Sequence, residues 1–99
     1  MATNTQNLST GEYLRLLRLD KGLSQKELAD AIGVDFTLVS KIELGERTLG
    51  LDMIPNLASA LEMDFKALQI ELMALRVAEE YGDEEYALEA IKKALKRIE

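Results

Sequence analysis

The chain has 99 residues and 47% hydrophobic content, enough for one compact domain, or one domain with a helical appendage, without metal or disulfide support. It holds no Cys and no His, which removes disulfides, the usual ligands of structural zinc and the commonest general base. The net charge of −6 counts against a non-specific nucleic-acid binder, which needs a basic surplus to displace counterions. That charge is unevenly placed: residues 1–50 carry six basic and seven acidic side chains, and residues 51–99 carry six and eleven. A nearly neutral front half can still present a locally basic face. No apolar run approaches the ~20 residues of a membrane span. The polar, uncharged opening Met1–Asn7 lacks the pattern of a signal peptide, so a cytoplasmic location is expected and residues 1–9 read as a flexible tail.

All the periodicity has helical spacing, and no segment alternates like a strand. A first helix is predicted from Thr10 to Lys21, with Leu14 and Leu17 inward and Gly22 as its stop. Ser24 and Glu27 form a capping box that opens a second helix, whose stripe is Leu28, Ala29 and Ile32 and whose end is Gly33. Asp35 caps a third, with Leu38, Val39 and Ile42 on its apolar side and Gly45 at its end. A fourth is predicted from near Asp52, with Pro55 in its first turn, where a missing N–H costs little.

From Asp64 a longer helix is predicted to about Tyr81, with two apolar stripes. Phe65, Leu68, Leu72 and Leu75 form one; Ile70, Met73, Val77 and Tyr81 form the other. One globular core can use only one of them. After Gly82-Asp83 a last helix is expected over residues 84–98. It carries Ala87, Ile91, Ala94, Leu95 and Ile98 on one face, and cations in its final turns, where they oppose the helix dipole favourably.

The informative segment is Gln25 to Glu43: two short helices joined by a tight turn at Gly33, with a small Ala29 where the second helix crosses the first. An ordinary helical hairpin in a bundle and a DNA-reading helix pair both meet these demands. Residues 11–68 resemble the Cro/CI-type helix-turn-helix regulators of the Xre family. The resemblance runs through Leu17-Arg18, Lys21 to Ala29, Ile32-Gly33-Val34, Val39 to Glu43, Gly45-Glu46-Arg47, Leu57 to Leu61 and Leu68. Leu49 stands where a Pro is usual and Glu62 where a Gly is usual, so those two connections are expected to differ in shape.

The resemblance implies an all-α fold with a five-helix domain over residues 10–68; beyond it the prolonged fifth helix and the last helix form an extension over 69–99, expected from its second apolar stripe to serve dimerisation. It implies a sequence-specific regulator, a repressor or restriction-modification controller-like protein, that binds palindromic operator DNA as a homodimer. DNA contacts fall by position on Gln25, Lys26, Phe36, Thr37, Ser40, Lys41 and Arg47. Phe36 either packs on a thymine methyl or turns inward as a staple. Arg15 is a further phosphate candidate. Arg18 and Glu43 are implied to form an internal ion pair. The second stripe, Ile70, Met73, Val77 and Tyr81, is expected to be covered by the last helix or by a second copy.

No acid, base, nucleophile or metal set is clustered, so no catalytic or metal-binding residue and no cofactor is expected. With no separate ligand-binding domain, no small-molecule effector is expected either. The competing function is an antitoxin or other protein-interaction module that neutralises a partner protein, with DNA binding secondary.

Overall fold

In the computed structural model, which describes residues 8–99, six α-helices follow one another. They are α1 (Thr10–Asp20), α2 (Gln25–Ile32), α3 (Phe36–Glu43), α4 (Ile54–Leu61), α5 (Phe65–Tyr81) and α6 (Ala87–Ile98). There is no strand among the described residues. The expected tail over residues 1–7 lies outside the described residues. Ser9, assigned to that tail, is instead the N-cap of α1: its hydroxyl accepts from the Glu12 N–H, and the Glu12 carboxylate accepts from the Ser9 N–H.

The same reciprocal cap starts α2 at Ser24 and Glu27. Asp35 and Asp64 cap α3 and α5 by accepting from the N–H groups of Thr37 and Ala67. Each such cap satisfies a donor that the helix itself leaves without a partner. At the other end of α2, Gly33 takes φ 76°, a left-handed conformation that costs glycine nothing. This turn lets α3 leave α2 at once and cross it.

The core is built from Leu14, Leu28, Ala29, Ile32, Val39, Ile42, Leu49, Ile54, Leu57, Ala58, Leu61, Leu68 and Leu72, all buried. Each fully buried Leu or Ile contributes roughly 1.5–3 kcal/mol. These side chains join α1 to α5 and leave out α6. The position expected to close the domain, Leu68, lies inside α5, and Leu72 one turn later enters the same core.

Several expectations are corrected. Leu17 and Leu38 pack against the core as expected, partly buried, but Phe65 is 46% exposed although it shares a stripe with the buried Leu68, Leu72 and Leu75. Phe65 is the first residue of α5 and projects beyond the core. The fourth helix, expected from near Asp52, is led by a 3₁₀ turn over Leu51–Met53 and is α-helical from Ile54, with Pro55 in its first turn as expected. Leu49, in place of a proline, is buried and anchors that connection. Glu62, in place of a glycine, still adopts the left-handed conformation, with φ 54°. Its carboxylate pairs with Lys21 at 3.0 Å on the surface, and such a pair contributes at most about 1 kcal/mol against a strain of about 1–3. The last helix starts at Ala87, not Glu84, because residues 82–86 are wound into turns, and no residue of α6 is buried.

One close approach governs the position of α1. Gly11 is buried, and a Cβ there would press on the Ile42 carbonyl oxygen and lie 2.8 Å from that of Glu43. The start of α1 therefore touches the backbone at the end of α3. Gly11→Ala is expected to destabilise the fold by about 1–3 kcal/mol, read as a lower urea midpoint with an unchanged slope. An unchanged midpoint would mean that the two helices are not in backbone contact.

Glu12 and Glu27 both have carboxyls held below the ordinary range, first because the Ser9 and Ser24 N–H groups donate to them and then because the serine hydroxyls do. A lowered folded-state value stabilises above the unfolded value of about 4.3, and that contribution disappears as pH falls through the lowered value. Acidification from about pH 5 should therefore erode stability, and the doubly substituted Glu12→Gln, Glu27→Gln chain should show a shallower acid limb. Equal acid limbs in thermal melts would rule out this source of pH dependence.

Candidate nucleic-acid interface

At the end of α3 the Glu43 carboxylate is almost fully enclosed, with its side chain 3% exposed. Arg18 of α1 meets it as a fork: Nε donates to Oε2 at 2.7 Å and Nη2 to Oε1 at 3.0 Å. The third arm, Nη1, donates to the Leu23 carbonyl at 2.8 Å, and Gln25 Nε2 donates to Glu43 Oε1 at 3.1 Å. One carboxylate thus ties together α1, the α1–α2 turn, the start of α2 and the end of α3. The hydrogen bonds from its guanidinium to Glu43 hold Arg18 above its usual value, against the opposing effect of burial. No buried side-chain polar atom among the described residues lacks a partner. A carboxylate so matched adds no net negative charge to the outer surface.

On the opposite face of α3, Phe36, Thr37 and Lys41 are exposed and Ser40 is half-buried. Val39 and Ile42 are fully inside. The four outward positions fall at i, i+1, i+4 and i+5, so one face of one helix presents them together. Phe36 is 54% exposed, which removes the inward-staple reading. The Thr37 N–H is taken by Asp35, and its side chain remains exposed.

Gln25 and Lys26 open α2, next to the end of α3. Half of the expected freedom of Gln25 is gone, since its amide nitrogen serves Glu43. Lys26 pairs with Asp30 at 3.2 Å, both exposed, a contact weak enough for a phosphate to displace. The Glu27 N–H in that first turn is taken by the Ser24 hydroxyl, and the Gln25 and Lys26 N–H groups, which have no helical partner, favour an anion. Arg15 is exposed on α1. Arg47 does not share the α3 face. It lies in the loop after α3, where its N–H donates to the Lys41 carbonyl at 3.3 Å and its side chain borders a groove against α5.

That groove, of about 370 Å³, was not foreseen. Ile42, Leu49, Met73 and Val77 contribute its apolar lining. The second stripe of α5 is therefore open: Ile70, Met73, Val77 and Tyr81 are 58%, 45%, 41% and 50% exposed. Nor was the tie at its edge foreseen, where the Glu79 carboxylate of α5 accepts from both the N–H and the hydroxyl of Thr10 at 2.8 Å. No spacing rule links residues 69 positions apart, so the sequence carried no signal for it.

A model of the helix-turn-helix family (HTH_3) matches residues 14–68, more than half of the chain. The chain belongs to that family. Its match runs from Leu14 within α1 through the first turn of α5, the part that holds the ion pair and the α2–α3 crossing. Among curated relatives of this Xre-type chain is a Neisseria hypothetical transcription factor from Neisseria meningitidis serogroup B, 44% identical over 48 residues. The match spans 48% of this chain and 45% of that protein, so the chain covers less than half of that relative's length. Among solved structures, the restriction-modification controller protein C.AhdI from Aeromonas hydrophila is 41% identical, with a TM-score of 0.55, over 64% of this chain and 89% of that one. The clp gene regulator ClgR from Corynebacterium glutamicum is 25% identical, with a TM-score of 0.57, over 97% of this chain and 90% of its own.

The buried pair yields a test. Arg18→Met alone should cost about 3–5 kcal/mol because it strands the Glu43 charge, whereas Arg18→Met with Glu43→Leu should regain most of that loss. Urea denaturation of the unsubstituted chain, the two single variants and the double variant measures it. A double variant as unstable as the sum of the singles would mean that the two charges are not coupled.

Proposed function

We propose that this helix-turn-helix protein is a sequence-specific DNA-binding transcriptional regulator that acts as a homodimer on palindromic operator DNA. The observation that carries the reading is α3: its inner residues and Glu43 are locked, while Phe36, Thr37 and Lys41 stand outward on one face. A helix held in this way fits a major groove, about 12 Å wide. Two copies place two such helices roughly one DNA turn apart, which a palindrome matches.

In this reading Lys41, Thr37, Ser40 and Phe36 face base edges or the phosphates beside them. Lys41 suits guanine O6/N7, and Phe36 suits a thymine methyl. Gln25 and Lys26 hold a phosphate at the start of α2, and Arg47 holds one beyond the end of α3. Residues 69–99 serve dimerisation through Ile70, Met73, Val77 and Tyr81. The protein works by occupancy in the cytoplasm, without cofactor, metal or catalysis: bound dimers block or recruit polymerase. Likeness to the C.AhdI controller supports a repressor or controller of that kind.

Selection from a random duplex library should enrich an inverted repeat. Against that repeat, Lys41→Ala should lose about 1–3 kcal/mol and relax preference at one base pair in each half-site. Lys26→Ala should weaken all sequences alike and reduce the slope of log K on log salt by about one. Absence of any enriched sequence, together with no salt-dependent binding to duplex DNA, would overturn the proposal.

A further inference from the structure

The outward face of α3 does not end at Lys41. Leu44 follows the helix, yet its N–H donates to the Ser40 carbonyl at 3.0 Å and its backbone stays right-handed helical, with φ −81° and ψ −8°. It therefore stands four residues after Ser40 and seven after Thr37, on the face that those two share with Lys41. Leu44 is 72% exposed, and Phe36, at the other end of the same face, is also open to solvent. Neither serves the core, to which α3 gives Val39 and Ile42. Two large apolar side chains thus bracket two hydroxyls and one ammonium.

The composition of this face decides what it can read. In the major groove, strong discrimination comes from side chains that grip two atoms of one base: arginine or lysine on guanine, asparagine or glutamine on adenine. From Phe36 to Leu44 there is no Arg, Asn or Gln. Lys41 is the one side chain there able to select guanine, and the hydroxyls of Thr37 and Ser40 both donate and accept, so they discriminate little. What remains is apolar contact, and the apolar group that a base pair presents in this groove is the C5 methyl of thymine. Over a phosphate, by contrast, an apolar side chain would strip water from a charge and return no hydrogen bond. Phe36 and Leu44 lie about 12 Å apart along the helix axis, no more than the width of the groove, so both ends of the face reach base edges of one half-site.

We infer that Phe36 and Leu44 act as a pair that reads thymine methyl groups, each side chain covering one thymine in every half-site, with Lys41 between them. This rests on the DNA-binding reading above and names the chemistry of its operator. It adds Leu44 to the residues that determine specificity.

Deoxyuridine tests the inference, because it differs from thymidine only by the missing methyl and keeps every hydrogen-bonding group of the base pair. The probe is the inverted repeat that the full chain enriches from a random duplex library, with each thymine replaced in turn in both half-sites. Affinity is measured at one fixed salt concentration, since phosphate contacts make it salt-dependent. Each contacted position should lose about fourfold for every methyl removed. The loss at one position should vanish in Phe36→Ala and the loss at another in Leu44→Ala, while each variant stays sensitive to the other position. Both side chains are exposed, so neither truncation opens the core, and the variants should melt as the unsubstituted chain does. Uracil costs that persist in both variants, or a cost lost in only one of them, would overturn the inference. An enriched repeat that lacks thymine or is indifferent to uracil removes the methyl reading alone. No enriched repeat removes the DNA-binding regulator as well.

Discussion

The end of α3 is the fixed point of the molecule, and the enclosed Glu43 carboxylate fixes it. Two charges taken out of water cost several kcal/mol each, and only good geometry returns that cost. Here the fork of Arg18, the amide of Gln25 and the use of the third guanidinium arm by the Leu23 carbonyl leave neither ion short of a partner. Net stabilisation is therefore not the main product of the pair. What it supplies is uniqueness of placement, since any slide of α3 along α1 would break two short bonds at once. Gly11 adds a steric limit at the same place, admitting the Ile42 and Glu43 carbonyls where a side chain would exclude them. Attraction and close approach thus act on the same turn of α3, and the outer face is rigid because the inner end is.

That arrangement also answers the objection raised by net charge. A chain at −6 is a poor polyanion ligand only if its carboxylates are free near the contact surface. Several in the front half are engaged. Glu12 and Glu27 close capping boxes, Asp35 caps α3, Asp30 faces Lys26, and Glu43 is matched by Arg18. Within α3 itself the one free charged side chain that points outward is that of Lys41. Fields at a DNA surface decay over about a Debye length, near 8 Å at physiological salt. The local pattern around α3 therefore weighs more than the acidic run after Tyr81.

Much of this was legible in the sequence because it rests on local rules. Helical periodicity, the Ser24–Glu27 box, the Asp35 cap and the turn at Gly33 all depend on residues within one or two helical turns. The Ser9–Glu12 box obeys the same rule and was readable, but a polar opening segment drew Ser9 into the expected tail. The start of α4 near Asp52 was readable from Pro55, but the 3₁₀ turn over Leu51–Met53 that leads into it leaves no mark in the sequence. Phe65 was misplaced because periodicity assigns a face without saying where the core ends. Gly11, the Thr10–Glu79 tie and the groove depend on how distant elements pack, which no pattern in one segment encodes. The sequence offers an outer contact for Gln25, and the inner one to Glu43 is invisible without the α2–α3 crossing.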